Sequence, residues 1–313
     1  MQVILAPMEG LADDVMRRVL TGVGGYDWCV SEFVRVTDSV LPLRAFKRIS
    51  PELENAARTD AGTPIRLQLL GSDPHYLAAN AARAAELKPF GIDLNFGCPA
   101  PTVFRHRGGA ALLNEPELLY QIIAAVRQAV PRDIVVTAKL RLGIADTART
   151  LDCVRALESG GAAELVVHAR TKEDGYRPPA RWEWLAHIRA AVNIPVIANG
   201  EIWTVDDWQR CREISGCEDV MLGRGAVADP FLARQLRGEP AATWSLMRQP
   251  LFDYWAGVQH KLTAGQAPGR LKHWLSLLRR RFPEAETLYG QVRVARHPDQ
   301  VSALLNDAFA DYS

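Results

Sequence analysis

A cysteine in a tight turn is the residue of this chain whose setting points most directly to chemistry. Cys98 lies between Gly97, which allows the backbone to turn sharply, and Pro99, which cannot continue a strand. The apolar run over residues 90–94 predicts a buried strand, so the thiol would lie at its carboxyl end. Barrels of alternating strands and helices keep their reactive groups at this end. A buried thiol that only fills space is the alternative, although such turns are seldom part of a core.

Groups suited to binding anions follow other strand-like runs in the same way. Lys139 closes the apolar run 134–140, and a lysine inside a fold is costly unless it meets an anion. Glycine loops follow the last two runs, at Gly200 and Gly223. Backbone N–H groups in such loops commonly bind phosphate. The sequence therefore predicts a phosphate site and a buried cation near the thiol.

The run from Gly223 to Ala228 also matches the GxGxxA pattern of dinucleotide-binding folds. That interpretation requires further strand and helix units downstream, with an acidic residue ending the next strand. Only helical patterns follow, so the use of these glycines in a barrel is favoured.

Strand-like runs alternate with helix-length amphipathic stretches up to about residue 237 and would position these groups. Most runs are rich in Val, Ile and Leu with little alternation, as strands buried on both faces are. Eight such units predict an α/β fold of the (β/α)8 TIM barrel type, with a doubly wound open sheet as the competing fold. The predicted strands are residues 3–6, 28–31, 64–70, 91–95, 134–140, 165–168, 195–199 and 219–222.

Consecutive helices replace this alternation after Gly238. Their apolar positions recur at three- and four-residue spacing. We therefore expect two domains, a catalytic barrel over residues 1–238 and a small all-helical domain over residues 239–313. The predicted helices are residues 245–264, 269–282 and 297–310.

The whole chain of 313 residues has a net charge of +1, so a site for nucleic acid must be a local patch. Residues 241–313 offer one, with nine Lys and Arg against six Asp and Glu. In the predicted helix 269–282, Lys272 and Arg279 are seven residues apart and share a face that phosphates could contact. A solvated helix face is the alternative. The buried face of the same helix would carry Leu271, Trp274, Leu275 and Leu278.

Cysteine usage and the apolar runs limit the setting of the protein. Five cysteines without CxxC spacing indicate reduced thiols and a cytoplasmic protein, with neither a disulfide frame nor a metal site. Met1 leads into a strand-like segment without a signal pattern. No apolar run approaches the ~20 residues that span a bilayer, so no membrane association is expected. No feature requires a protein partner, and a monomer is expected.

Seven short motifs occur in an order that resembles one enzyme family. They are residues 5–10, 67–69, 95–99, 138–141, 167–171, 197–201 and 221–225. Together they resemble the tRNA-dihydrouridine synthases over nearly the whole chain. The segment 270–275, with Arg35 near the start, is similar to the C class of the bacterial enzymes. The resemblance implies a TIM barrel that binds FMN and a helical domain that binds tRNA.

Site residues follow from this resemblance. It implies flavin contacts at Pro7, Met8, Glu9, Gln68, Lys139, His168, Asn199, Gly200, Glu201, Gly223 and Arg224. It implies contacts with the substrate or tRNA at Arg35, Asn95, Arg141, Tyr176, Arg270, Lys272, Trp274 and Arg279. We expect Arg35, Arg141 and Tyr176 to lie in loops after strands. The chain has Pro101 where the class pattern usually has lysine, which leaves the first RNA contacts open.

Flavin and thiol together imply reduction of a uracil ring. Its C5=C6 bond is conjugated to the C4 carbonyl, so hydride from reduced FMN would enter at C6 and a proton at C5. A neutral thiol, with an ordinary pKa of about 8.5, is suited to donate that proton, which makes Cys98 a general acid. The resemblance implies NADPH, or NADH, as a transient reductant and a D-loop uridine, at position 16, as the target.

Two other functions stay open at this stage. An FMN-dependent dehydrogenase of a free pyrimidine or of dihydroorotate would use a similar barrel, yet it needs no basic helical segment. An RNA-binding module could keep the barrel as a scaffold, but it would have no use for Cys98, Lys139 and the two glycine loops.

Overall fold

A closed barrel of eight parallel strands forms the larger part of the computed structural model, which describes residues 1–310. Each strand pairs with the next along the chain, and the last pairs with the first. The predicted barrel is thereby confirmed. The strands are β1 (Val3–Leu5), β2 (Trp28–Arg35), β3 (Ile65–Leu70), β4 (Gly91–Phe96), β5 (Val135–Arg141), β6 (Leu165–His168), β7 (Val196–Asn199) and β8 (Val220–Leu222).

Helices connect the strands, and local sequence signals fix where several of them begin. The carboxylate of Asp73 accepts hydrogen bonds from the N–H groups of His75 and Tyr76 at the start of one helix. Thr204 and Asp207 form a capping box at the start of another. These helices are α1 (Asp14–Val23), α2 (Leu43–Ile49), α3 (Pro74–Ala85), α4 (Pro101–Arg105), α5 (Pro116–Ala129), α6 (Thr150–Ser159), α7 (Glu183–Ala191), α8 (Val205–Ser215), α9 (Arg224–Ala228) and α10 (Leu232–Gln235).

The barrel interior changes from apolar to polar toward the carboxyl ends of the strands. An apolar cluster inside it contains Ile4, Ala6, Trp28, Val30, Val166, Ile197 and Met221. In the pairing of β3 with β4, Gln68 lies opposite Asp93, and in that of β4 with β5, Asn95 lies opposite Lys139. Because alternate residues of each strand point inward, these polar side chains converge at one mouth of the barrel.

β2 extends four residues beyond the predicted strand. Its register with β3 shifts between Val30 and Phe33, and bulges of this kind redirect side chains at barrel rims. The Ser31 hydroxyl oxygen accepts a hydrogen bond from the backbone N–H of Gln68 at 3.1 Å. Ser31 and Glu32 interrupt the apolar run, which is why the sequence pattern ends the strand early.

The last part of the described chain contains four longer helices, where the sequence predicted three. The single helix predicted over 245–264 was wrong at its start, because a 3-10 turn over Trp244–Met247 precedes it. The helix over Pro283–Val292 was missed, because its buried face is carried by only a few side chains. These helices are α11 (Arg248–Lys261), α12 (Ala267–Leu278), α13 (Pro283–Val292) and α14 (Pro298–Ala308).

The helical segment packs directly on the barrel. α11 contacts α1, and α12 contacts α9. The apolar core runs without interruption from the barrel into this segment. The predicted buried face of α12 is confirmed, since all four of its predicted side chains are fully buried. The domain boundary after residue 238 stays a prediction, and the last three residues of the predicted helical domain, 311–313, lie outside the described residues.

Across residues 1–310, none of the helices is both long enough and apolar enough to cross a bilayer.

Candidate active site

A cavity of about 420 Å³ opens at the carboxyl ends of the strands. Its lining includes Cys98 and all eleven residues predicted to contact flavin, together with three of those predicted to contact the substrate. The predicted residues that line it are Pro7, Met8, Glu9, Gln68, Asn95, Cys98, Lys139, Arg141, His168, Tyr176, Asn199, Gly200, Glu201, Gly223 and Arg224.

The cysteine turn is held by the side chain of Asn95. Its amide oxygen accepts hydrogen bonds from the backbone N–H groups of Gly97 and Cys98, at 3.0 and 2.9 Å. Burial raises the pKa of the Cys98 thiol, and the Glu9 carboxylate nearby acts in the same direction. Cys98 therefore presents a protonated thiol to the cavity at neutral pH. The other four cysteines are buried.

Lys139 is a buried cation on the floor of the cavity. Its ammonium group donates a hydrogen bond to the Asn199 side-chain oxygen at 3.1 Å. The Asn199 amide in turn donates to the carbonyl of Met221 at 2.8 Å, which fixes its orientation. Burial lowers the pKa of Lys139 to about 8, and the charge of Arg141 acts in the same direction. The opposing charge of Asp93 is smaller in effect.

Positive charge dominates one side of the cavity. Burial lowers the pKa of His168 well below its ordinary value, and the cationic groups of Arg141, Lys139, Arg170 and Arg224 lower it further. His168 is therefore neutral at pH 7. A pocket that holds this much positive charge fits an anionic ligand, since an anion would offset the mutual repulsion.

The two predicted glycine loops bring bare backbone close to this charge. Gly200 has a φ of +110°, and a Cβ added there would lie 2.7 Å from a ring carbon of His168. A Cβ added at Gly223 would have the Met8 sulfur as its nearest neighbour, at 3.8 Å, so the space above this glycine is open. Open backbone at a strand end beside cations is suited to a phosphate. Gly223 and the cations beside it therefore fit the phosphate of a flavin such as FMN.

Arg170 is a site residue that the sequence interpretation did not single out. It is fully buried, forms an ion pair with Glu201, and has a terminal nitrogen 3.2 Å from His168 Nε2. Its Nε donates to the carbonyl of Arg177 at 2.8 Å. Its position could have been inferred from the sequence. Alternate residues of a strand point to the same side, so the residue two positions after His168 points to the same side as His168. The carboxylate of Glu201, predicted as a flavin contact, is thus engaged by Arg170.

Arg141 joins the cysteine turn to the loop after β6. It is the last residue of β5, so the expectation that it lies in a loop was wrong, as it was for Arg35 at the end of β2. Its Nε donates to the Gly97 carbonyl at 3.0 Å, and a terminal nitrogen donates to the carbonyls of Thr171 and Gly175. The guanidinium also lies 5.3 Å from the ring centre of Tyr176.

Four side chains form a row that leads from the helical segment into the cavity. Arg280 lies over the ring of Trp203 at 4.2 Å, and Arg224 lies 5.2 Å from the same ring. Arg224 also lies 4.4 Å from the ring of Tyr176, which is 54% exposed. We call Tyr176, Arg224, Trp203 and Arg280 the arginine–aromatic row. Such a row offers both charge for phosphates and faces for bases.

Residues 4–266 match the family described as Dihydrouridine synthase (Dus). This chain belongs to the dihydrouridine synthase family. The tRNA-dihydrouridine(16) synthase of Pseudomonas syringae pv. tomato is 57% identical over 311 residues, covering 97% of this chain and 98% of that protein. The protein of the same name from Ralstonia nicotianae is 55% identical, covering 99% of this chain and 96% of its own. The family resemblance drawn from the motifs is confirmed.

The dihydrouridine synthases are flavin-dependent oxidoreductases, so this chain is an oxidoreductase. Solved structures share the fold at low identity. A 2-naphthoyl-CoA reductase has a TM-score of 0.58 at 12% identity and covers 76% of this chain and 50% of its own. An old yellow enzyme homologue from Zymomonas mobilis has a TM-score of 0.51 at 13% identity, covering 77% and 90%. They bear on the fold alone.

The remaining predicted contacts of this dihydrouridine synthase lie outside the cavity. Arg270 forms an ion pair with Asp13 at 2.9 Å. Lys272 donates to the Ala295 carbonyl at 2.7 Å, and Arg279 lies 3.3 Å from the Glu286 carboxylate. Arg35 is exposed at the end of β2, where its charge still lowers the pKa of Cys98.

The prediction that Trp274 contacts tRNA requires correction. Trp274 is 0% exposed, and its indole N–H donates to the Val227 carbonyl at 3.0 Å. Its ring packs edge-on against Tyr254 with 4.6 Å between centres. Its position ties α12 to the barrel and leaves no face for RNA.

Proposed function

We propose that this chain reduces a D-loop uridine of tRNA, at position 16, to 5,6-dihydrouridine. The observation that carries the proposal is a protonated thiol, Cys98, at the rim of a positively charged barrel cavity in a dihydrouridine synthase. The names of the relatives supply the tRNA and the position. NADPH, or NADH, is the proposed reductant.

FMN is proposed to bind this cavity non-covalently. Lys139 and His168 lie where they can contact an anionic ring and a phosphate. Gly223 leaves open backbone beside them, and Gly200 lets the His168 ring pack against the loop after β7. Pro7, Met8, Glu9, Gln68, Asn199, Glu201 and Arg224 complete the proposed flavin site. When bound, FMN would supply the hydride that C6 of the uracil receives.

Cys98 holds the proton that C5 needs. Saturating the C5=C6 bond consumes a hydride at C6 and a proton at C5, so the S–H bond breaks as the new C–H bond forms. The thiolate left behind takes a proton from water. Because burial raises the pKa of the thiol, the proton is present on sulfur throughout the neutral range. Asn95 and Arg141 hold the turn that aims it.

The RNA is proposed to lie along the arginine–aromatic row and the helical domain over residues 239–313. A uridine inside folded RNA must leave its stack to reach a barrel mouth. Arg280 lies two residues after the end of α12, so the row connects the end of that helix with the cavity. Splayed nucleotides could stack on Trp203 and Tyr176 while phosphates meet Arg280. Lys272 and Arg279 would contact more distant phosphates, and Arg35 and Arg270 the opposite side. The protein is proposed to act as a monomer in the cytoplasm.

The proposal is tested with purified protein, FMN, NADPH and tRNA transcribed without modifications. We expect dihydrouridine at position 16, detected by mass spectrometry of nuclease fragments, and no reduction of free uracil or uridine. Reduction of free uracil or oxidation of dihydroorotate at a comparable rate would favour the free-pyrimidine enzyme. Dihydrouridine at another position would retain the reaction and overturn the assigned target.

A further inference from the structure

Behind the cysteine turn, a buried carboxylate is connected to Cys98 through two amide side chains. Asp93 is 2% exposed, and Gln68 is completely buried. The Gln68 amide nitrogen donates to Asp93 Oδ2 at 2.7 Å, while the Asn95 amide nitrogen donates to Gln68 Oε1 at 2.8 Å. Asn95 Oδ1 then accepts from the backbone N–H of Cys98. β3 and β4 hold these residues side by side.

The direction of this chain of hydrogen bonds is set at the Cys98 end. A backbone N–H can only donate, so the atom of Asn95 that faces Cys98 must be its oxygen. The Asn95 nitrogen must then face Gln68, and the Gln68 nitrogen must face Asp93. Asp93 accepts it, and the other Asp93 oxygen accepts from the Thr137 hydroxyl at 2.7 Å. Neither amide can turn over without losing a partner at each end.

We propose that Asp93 is a positioning residue that fixes the Cys98 turn through Gln68 and Asn95. Nothing in the reaction requires this carboxylate, which is not among the described residues that line the cavity. Its use is to accept, and an amide in its place could present nitrogen to Gln68, so that one hydrogen bond of the chain is lost whichever way the two amides settle. The thiol, at the end of the chain of hydrogen bonds, would then lose its fixed place and become more exposed.

The consequence can be measured without tRNA. All five cysteines lie within the described residues, and Cys98 is the one that is not buried, so iodoacetamide under native conditions reports on it. In the flavin-containing protein, we expect Asp93→Asn to raise the alkylation rate about threefold or more, within the coupling typical of contacting residues. Greater exposure of the thiol should also shift the midpoint of the rate against pH downward, because burial is what raises it.

A double-mutant cycle separates this route from a general loosening of the barrel. If Asp93 acts through Asn95, Asp93→Asn should change the alkylation rate far less in an Asn95→Ala background. Thr137→Val, which contacts Asp93 outside this chain of hydrogen bonds, is the matched control and should leave the thiol close to wild type. Equal effects of Asp93→Asn in both backgrounds, or no effect on the thiol, would overturn the proposal. If Asp93→Asn does not fold, Gln68→Met takes its place, because it removes the hydrogen bonds of Gln68 to Asp93 and Asn95. It should alter the alkylation rate of Cys98 in the same direction.

The kinetic arm rests on the proposed function. Asp93→Asn should slow uridine reduction by roughly 10- to 100-fold, the scale of a small misplacement of a reacting group, while flavin reduction by NADPH stays unchanged. An altered thiol in an enzyme whose substrate is not tRNA would leave the positioning role standing and remove only the proposed function.

Discussion

Lys139 donates a hydrogen bond from its ammonium group to the Asn199 side-chain oxygen at 3.1 Å and so joins the ends of β5 and β7 across the cavity floor. The hydrogen-bond partner is neutral, and the nearest acids do not offset the burial. A buried cation in this setting works against the stability of the fold. We interpret Lys139 as a cation positioned for an anionic ligand, and its burial lowers the stability of the flavin-free protein.

Lys139→Met should stabilise the flavin-free protein at pH 7 by on the order of 1 kcal/mol, because it removes a poorly compensated buried charge. The pKa of Lys139 in the fold, about 8, lies below its ordinary 10.5. Between these two pH values Lys139 is protonated in the unfolded chain and largely deprotonated in the fold. The free energy of unfolding of the wild type therefore increases as pH rises. The advantage of the variant should therefore shrink from pH 8 to pH 10, as measured by urea unfolding.

Thiols and phenols also titrate in this pH range, but they are the same in the wild type and the variant. The difference between the two free energies of unfolding therefore reports on Lys139 alone. The same variant should bind FMN more weakly than wild type does. A stability difference that stays constant with pH, or grows, would show that Lys139 is not a buried ammonium group of lowered pKa.

The protonation of Cys98 should be visible in its pH dependence. Burial and the Glu9 carboxylate both raise the pKa of the thiol. The rate of uridine reduction should thus stay constant across neutral pH, where the thiol keeps its proton, and fall at alkaline pH as the proton is lost. In Glu9→Gln the midpoint of alkylation against pH should move down, since one negative charge has been removed. An unchanged or higher midpoint would mean that Glu9 does not act on the thiol.

Trp274 is expected to act through stability alone. Trp274→Ala should lower the free energy of unfolding by about 3 to 5 kcal/mol, as removal of a fully buried large ring does. Trp274→Phe keeps most of the ring but loses the hydrogen bond to Val227, and should cost less. Circular dichroism during urea unfolding measures both. Weaker tRNA binding by a Trp274→Phe variant that is fully folded under the assay conditions would restore the RNA contact that the structure excludes.

The arginine–aromatic row should carry RNA affinity. Arg280→Ala should weaken tRNA binding and reduce the slope of log affinity against log salt by about 0.7 to 0.9 per lost phosphate contact. Trp203→Ala should weaken binding with little change in slope, because stacking is not ionic. Arg132→Ala, exposed before β5 at the opposite end of the barrel, is the control. Filter binding at several salt concentrations makes the comparison. Lys272→Ala and Arg279→Ala extend it to α12 and the residue that follows this helix.

The barrel and the members of its site could be predicted because each is a local pattern. Short apolar runs predict buried parallel strands. A residue at the carboxyl end of such a strand lies at the barrel mouth, regardless of how the connecting helices pack. Cys98, Lys139 and His168 all follow that rule. The side-chain contacts between segments that are distant in the sequence could not be predicted. Arg280 contacts Trp203, and Trp274 contacts Val227. Nothing in the sequence pattern around these residues indicates that the two members of each pair meet.

The same limit explains the missed features of the site. Arg170 could have been found by its spacing from His168, yet its ion pair with Glu201 depends on the turn after β7, where Glu201 has a φ of +62°. The polar start of the bulge in β2 concealed the length of that strand. The helix over Pro283–Val292 has a buried face too sparse to stand out from loop sequence.

The most direct test separates the two half-reactions in Cys98→Ala by stopped-flow absorbance of the flavin. Reduction by NADPH should match wild type, because the thiol is not required to reduce flavin. Reoxidation by unmodified tRNA should slow by about 10²- to 10⁴-fold, the usual loss when a general acid is removed. Cys211→Ala, at a buried cysteine of α8, should leave both phases unchanged. Reoxidation by tRNA at the wild-type rate in Cys98→Ala would contradict the assignment of Cys98 as the proton donor.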